Sequence, residues 1–395
     1  MHKIFYFLGI ILMIFSCDYT QKSERSIEDL VPKNASIVLS INSLDGFLSS
    51  TTNNAVFTKT GVFNSLKTAL KPLDSIKSLS PLLVSITKEG PSKVFTFITH
   101  KRNLNAKDTL LIPHLTIDSI LVASTSKALL EPLKTQLSSD YSNISKLHQN
   151  TNTFSVYCKT FPALNSVQEL NLESVYFGFD VTPETITING TLLNQKLQSK
   201  WLTLFEGLEP QTQSLQAIIP VQSTRVKTFN YTDFEQLTRN IDSAGYSSKT
   251  TPLAKAFFST TKEIGAFETS SGTGIALKSI DISATYEALS GFQNELSSFR
   301  SVPVFEFTEP SIFKDCFAPF LWPENATKYS VLDDYLVFSD ADDVLQLVIS
   351  NYLNKNTLEA SFNYEAIQEF QSDETSFQSY FNNTTLVATI NELFN

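Results

Sequence analysis

Cysteine, histidine and positive charge are all scarce in this 395-residue chain. Its three cysteines, at positions 17, 158 and 316, are too few and too scattered for a disulfide-built scaffold or a four-ligand zinc site. Its four histidines, one of them His2 at the extreme N-terminus, leave little for metal chemistry, and neither a metal nor a cofactor is expected. Acidic side chains outnumber basic ones 40 to 30, a net charge of -10. No bulk positive field gathers phosphates, so a nucleic-acid partner is not expected. What is abundant is apolar: 42% of residues are hydrophobic and 12% aromatic, with 31 Phe and 13 Tyr, enough for one or two packed cores.

The longest apolar run, Ile4 to Phe15 behind Lys3, falls short of the ~20 residues that a membrane-spanning helix requires and reads as a signal peptide. Its end, Ile14-Phe15-Ser16-Cys17, resembles the bacterial lipobox, with an aliphatic residue at -3, a small residue at -1 and a cysteine to be acylated; Phe15 at -2 departs from the pattern. The resemblance implies a signal peptide over residues 1–16, lipidation of Cys17 and a membrane attachment through the lipid. Residues 17–29 are polar and aperiodic and read as a tether.

Self-comparison reveals an internal repeat. Ile117 to Leu137 and Leu332 to Tyr352 align without gaps at an offset of 215, each an apolar strand ending in Ser followed by a helical period. Pro32, Val38, Asn42 and Asp45 match Pro220, Val226, Asn230 and Asp233 at an offset of 188. Phe154 and Tyr157 match Phe377 and Tyr380 in the same order. Candidate hairpins lie between these landmarks: Leu82–Thr87 with Lys93–Thr99, Glu263–Glu268 with Ile275–Ile280, and Ser174–Asp180 with Thr185–Leu193. The fold expected is α+β: two tandem homologous domains, each a mostly antiparallel sheet with helices on one face. Copy one is placed at 30–206, a linker at 207–216, and copy two at 217–395. Copy two has no counterpart of the third hairpin after Tyr380, so it is expected to be truncated or to be completed by another strand.

Catalytic spacings are weak throughout. Ser124-Thr125-Ser126-Lys127, Tyr141-Ser142-Asn143 and Lys59-Thr60-Gly61 mimic serine β-lactamase motifs in the wrong order and read better as a capped helix start. Asp333, Asp334, Asp340, Asp342 and Asp343 lack an EF-hand spacing; Asp340 is expected to cap a helix whose first turn holds Asp342 and Asp343. His100, His114 and His148 suggest no partner. Cys158 and Cys316 are either buried thiols or a disulfide. The Asp-Ser/Thr-aliphatic triplets at Asp74, Asp108, Asp118 and Asp242 resemble envelope O-glycosylation acceptors. Most aromatics alternate as core residues do, but Pro319 and Pro323 bracket a segment expected to leave rings on a loop, making Phe317, Phe320 and Trp322 the candidate ligand contacts.

Leader, lipobox and the two repeated units resemble a family of uncharacterised bacterial lipoproteins with a repeated α+β domain of unknown function. The resemblance implies location in the cell envelope, at the outer membrane or the periplasmic face rather than in the cytoplasm, and carries over no catalytic motif. The leading expectation is a non-enzymatic, lipid-anchored binding or assembly module for an envelope protein or glycan. The alternatives are a hydrolase acting on an envelope polymer and the front portion of a longer lipoprotein.

Overall fold

A computed structural model describes residues 25–60, 64–71, 81–103, 110–146, 151–159, 174–193, 200–246, 249–318, 321 and 326–381. The chain divides into two compact units, the first built from residues up to Thr160 together with Ser174–Thr191, the second from Leu192 onwards. No helix among the described residues is long and apolar enough to cross a membrane.

Unit 1 contains β1 (Ala35–Ile41), β2 (Leu82–Glu89), β3 (Ser92–His100), β4 (His114–Ile117), β5 (Ile120–Ser124), β6 (Phe154–Cys158), β7 (Ser174–Val181) and β8 (Ile186–Leu193). They form one sheet in the order β4-β5-β3-β2-β1-β6-β7-β8. Its helices are α1 (Leu44–Asn53), α2 (Ala55–Thr60), α3 (Asn64–Leu70), α4 (Leu130–Leu133) and α5 (Asp140–Ser145). On one face of the sheet Leu39, Val84, Phe97 and Phe154 pack with Leu44 and Phe47 of α1 and Leu66 and Leu70 of α3. On the other, Val38, Leu83, Ile98, Val122 and Tyr157 pack with Leu130, Leu133 and Tyr141 from α4 and α5.

Unit 2 contains β9 (Gln211–Thr212), β10 (Arg225–Asn230), β11 (Thr261–Thr269), β12 (Gly272–Ser279), β13 (Glu295–Phe299), β14 (Val302–Glu306), β15 (Lys328–Leu332), β16 (Tyr335–Ser339), β17 (Glu374–Thr375) and β18 (Phe377–Phe381). The large sheet runs β13-β14-β15-β16-β12-β11-β10-β18, and β9 pairs with β17 in a small ribbon. Its helices are α6 (Lys200–Thr203), α7 (Phe234–Ser243), α8 (Pro252–Phe258), α9 (Ile282–Ala288), α10 (Ile312–Phe317), α11 (Asp342–Leu353) and α12 (Phe362–Gln368). Helices α7, α8 and α10 cover one sheet face, contributing Leu237, Phe257 and Phe313 to its core. Helices α11 and α12 cover the other with Val344, Val348 and Tyr364.

The α+β class, the antiparallel pairing and the two tandem bodies are therefore as the sequence leads one to expect. Helices, however, cover both faces of each sheet rather than one. The physical cause is visible in β5 and β16, whose five residues are all buried; a strand without a solvent face needs a layer on each side.

The two sheets repeat one topology. Dropping β7 and β8 from the first and β13 and β14 from the second leaves β4-β5-β3-β2-β1-β6 against β15-β16-β12-β11-β10-β18. The register agrees as well: the cross-strand row Val156, Leu39, Val84, Phe97, Ala123 corresponds to Ser379, Lys227, Ala266, Ile275, Phe338. Asp118 and Asp333 open the two-residue turns of the β4–β5 and β15–β16 hairpins with φ of 54° and 53°, a left-handed conformation that Asp tolerates better than most residues. Ser124 Oγ donates to Phe95 O and accepts from Ser126 N, both at 3.2 Å. Ser339 Oγ likewise donates to Thr273 O at 2.8 Å and accepts from Ala341 N at 3.2 Å. Asn42 Nδ2 donates to Asn152 O (2.7 Å), and Asn230 Nδ2 to Thr375 O (2.9 Å), pinning in each unit the segment that leads into the last common strand.

Two boundaries differ from the sequence expectation. The stretch read as the end of copy one and the linker packs into unit 2: Leu204 and Leu208 join the α7–α8 core, Leu215 joins the opposite core, and Asn240 Nδ2 donates to Leu204 O and Glu206 O at 3.1 and 2.8 Å. Leu208 and Leu215 stand among Gln, Glu and Pro, where no helix or strand period marks their burial, and Leu204 belongs to the run Trp201–Phe205 that reads as the end of copy one. The residue capping α11 is Ala341, not Asp340, although Asp342 and Asp343 do occupy the first turn; Ser339 Oγ takes the Ala341 N–H and so sets the start of the helix one residue later. Whether copy two lacks the third hairpin turns on residues 382–395, outside the described residues.

Because Ser124 and Ser339 close the same turn, Ser124→Ala and Ser339→Ala are each expected to cost about 1–3 kcal/mol, each removing one hydrogen bond to a strand carbonyl and the acceptor of a turn N–H. Denaturant unfolding that resolves the two units checks this; a loss in one unit and none in the other contradicts the equivalence.

Candidate functional site

The proposed ligand aromatics do not form a site among the described residues. Phe317 is the last residue of α10 and is fully buried. Its ring lies 4.6 Å from Phe258, 5.4 Å from Phe229 and 5.8 Å from Phe234. Ile312, Phe313, Cys316 and Phe317 occupy one stripe of α10, which ends with Phe317 in the core and Ala318, the residue before Pro319, in an extended conformation. Phe320, Trp322 and the lipidation candidate Cys17 lie outside the described residues.

The remaining polar motifs are structural. Ser124 is buried in the hydrogen bonds above, while Lys127 is exposed, so the two do not form a nucleophile–base pair. Ser142 belongs to a capping box with Ser139 at the start of α5, and Tyr141 beside it is buried. Lys328 Nζ holds Asp342 at 2.8 Å, Tyr352 Oη donates to Asp333 Oδ2 at 2.5 Å, and Lys278 Nζ pairs with Asp334. These separate partners spread the acidic residues apart, and among the described residues there is no group of three or more His, Cys, Asp and Glu placed to hold a metal. His114 Nδ1 lies 3.1 Å from Ile112 O on an exposed strand, and His100 ends β3. The triplets at Asp118 and Asp242 fall in a hairpin turn and inside α7; Lys59 and Thr60 end α2, and Gly61, Asp74, Asp108 and His148 lie outside the described residues.

Cys158 and Cys316 are free and buried. Burial pushes the Cys158 thiol up to about 11 and the Cys316 thiol, beside Asp315, up to about 12. Neither is poised as a nucleophile, because the thiolate is the reactive form.

A surface with the character of a binding site lies at the β18 end of unit 2. Among the described residues β18 is the outermost strand, paired on one side with β10 from Phe229↔Phe377 to Arg225↔Phe381. Its five residues are half-buried, and the Arg225 guanidinium sits 5.8 Å over the Phe381 ring. Helix α12 lies against the same strand through one anchor: Tyr364 is buried, its hydroxyl donates to Gln378 Oε1 at 3.3 Å, and its ring is 5.7 Å from Tyr380. Around this anchor three large apolar side chains are turned outward among the exposed Asn363, Glu365 and Gln368: Phe362 (81% exposed) and Ile367 (41%) on α12, and Phe370 (56%) two residues past its end. Unit 1 has β7 at the position equivalent to this edge, paired to β6 from Phe154↔Phe179 to Cys158↔Val175.

Sequence reading weighed this aromatic cluster as core. That holds for Tyr364, the buried residue of α12, whereas Phe362 and Phe370 are exposed. The sequence carries little signal for it: Ile367 stands three residues from Tyr364, on the same helical period, and is nonetheless exposed.

No protein-family model, curated protein or solved structure matches the chain.

The contrast between the two aromatic sets is measurable. Phe317→Ala is expected to cost about 3–5 kcal/mol of unit 2 stability, and Phe362→Ala to stay within about 0.5 kcal/mol. Thermal or denaturant unfolding of the two variants checks it, and a Phe362→Ala loss as large as that of Phe317→Ala contradicts the assignment of Phe362 to the surface.

Proposed function

We propose that this chain is a non-enzymatic, lipid-anchored protein of the bacterial cell envelope that serves as a binding or assembly module, with the β18 edge and α12 of unit 2 as its contact surface. The location rests on the leader and the lipobox-like sequence ending at Cys17. The observation that carries the binding role is the trio Phe362 and Ile367 on α12 and Phe370 just past its end, exposed beside a strand edge. Large aromatics at an otherwise polar surface are the residue class that supplies anchors in protein interfaces. An edge strand adds a row of outward N–H and C=O groups that an extended protein segment can pair with. A glycan has no such regular row of donors and acceptors, so a protein partner fits this surface better.

Two measurements test the reading. Replacing Cys17 by Ala is expected to abolish incorporation of labelled palmitate and to move the protein out of the membrane fraction; retention of both contradicts lipidation at that residue. A photo-crosslinking amino acid at position 362 or 370, in cells, is expected to trap one reproducible partner that the same probe at Leu296, exposed on β13 at the far edge of the sheet, does not trap. Equal adducts at both edges count against the α12 surface.

A further inference from the structure

Unit 2 buries a carboxyl group that nothing above uses. Glu263 on β11 is fully buried. Its Oε2 accepts three hydrogen bonds, from Ser214 N at 2.7 Å, Ser214 Oγ at 2.7 Å and Leu215 N at 3.2 Å. Its Oε1 has no partner. Directly opposite on β10 stands Asn230, also buried, whose Oδ1 has no partner either. Paired residues on adjacent antiparallel strands face the same side with Cβ atoms about 4.5–5.5 Å apart, so two acceptor oxygens lacking a donor belong to side chains that are cross-strand neighbours.

The amide of Asn230 has work on its other end. Its Nδ2 donates to Gln211 O at 3.2 Å and to Thr375 O at 2.9 Å, the two strands of the β9–β17 ribbon. Gln213 Nε2 donates to Thr375 Oγ1 in the same ribbon. One asparagine thus ties the segment that precedes β10 to the segment leading into β18, and the orientation of its amide decides whether the tie is made.

We propose that Glu263 is a proton-dependent latch: its carboxyl is protonated in the closed form, Oε1–H donates to Asn230 Oδ1, and this bond fixes the Asn230 amide so that Nδ2 holds the β9–β17 ribbon. Loss of the proton leaves two facing acceptors in a buried setting, a cost relieved when the amide turns its Nδ2 towards Glu263 and releases Gln211 and Thr375.

The surroundings are consistent with a carboxyl that keeps its proton. Burial raises its affinity for the proton above the ordinary glutamate value of 4.5, against the hydrogen bonds from Ser214 and Leu215 and the charge of Lys262 on its own strand. On β12, Lys278 is the cross-strand neighbour, but its Nζ is paired with Asp334 and lies 4.1 Å over the Tyr335 ring. On β16, Tyr335 spends its hydroxyl on Ser214 O at 3.2 Å. On α12, Tyr364 spends its own on Gln378; Glu359 and, on β18, Tyr380 lie beyond it next to the same ring. The cation opposite Glu263 is therefore already neutralised by another carboxylate.

Since the folded carboxyl holds its proton to higher pH than the unfolded chain does, the stabilisation is complete below 4.5 and is lost as pH rises through the folded value. The latch goes beyond the binding role proposed above and does not depend on it, so the test needs no partner. Amide hydrogen exchange of the purified chain, corrected for intrinsic rates and followed from about pH 4 to about pH 8, is expected to show protection in the stretches 211–213 and 374–376 falling by about tenfold per pH unit until the folded value is passed. Glu263→Gln keeps the oxygen that serves Ser214 and Leu215 and adds a permanent donor towards Asn230; it is expected to give pH-independent protection in both stretches, equal to that of the unaltered chain at the acid end. Flat protection in the unaltered chain, as an ionised carboxylate bridged by water gives, overturns the latch. So does a loss spread evenly over all of unit 2, or a Glu263→Gln ribbon that is less protected than the unaltered one at neutral pH. Should Glu263→Gln fail to fold, the pH profile of the unaltered chain decides alone.

Discussion

The central strands of each sheet have no solvent face, and most of the architecture follows from that constraint. A strand buried on both sides must be covered by two helical layers, and each unit builds them from segments on either side of the strands in sequence. It must also hold its register without an alternation of buried and exposed positions to mark it. Turns and strand ends do this instead, through the left-handed Asp118 and Asp333 and the serines that close β5 and β16. Where two bulky faces meet, unit 2 uses glycine. A Cβ on Gly265 would run into Leu215 and Thr228, and one on Gly274 would run into the Phe267 ring that lies across it. Substitution at either position has to displace core side chains.

Much of this order is legible in the sequence because it is written in local signals. Apolar runs ended by Ser, hairpin turns and helix periods each need only a few neighbouring residues, and each recurs in the second half. The landmarks Val38 and Val226, Ala123 and Phe338, and Tyr157 and Tyr380 are structurally equivalent in register. The correspondence at Asp45 and Asp233 is looser: Asp233 caps α7, whereas Ser43 caps α1, two positions earlier than the alignment implies.

What stayed hidden depends on partners far away in sequence. The polar look of residues 207–216 gives no hint that Leu208 and Leu215 each find a core. Phe317 and Phe362 are the same residue type in aromatic-rich segments, and only the layers around α10 and α12 separate a core ring from a surface one. Glu263 is the sharpest case. In sequence it is one acidic residue on a candidate strand; its role appears only when β10, the ribbon and Ser214 converge on it. The units thus share a scaffold and differ at its margins, where unit 1 adds β7 and β8 beyond β6 while unit 2 sets α12 and the β9–β17 ribbon beside β18.

That difference at the margin is the centre of the account, and amide-resolved hydrogen exchange over β6 and β18 in the isolated chain tests it most directly. In an antiparallel edge strand only alternate N–H groups are bonded inward. The expected result is uniform protection along Phe154–Cys158, flanked by β1 and β7, and alternating protection along Phe377–Phe381, with the outward amides of β18 exchanging rapidly. Uniform protection along β18 in the absence of any partner would mean that its edge is already occupied, and would contradict its assignment as the contact surface.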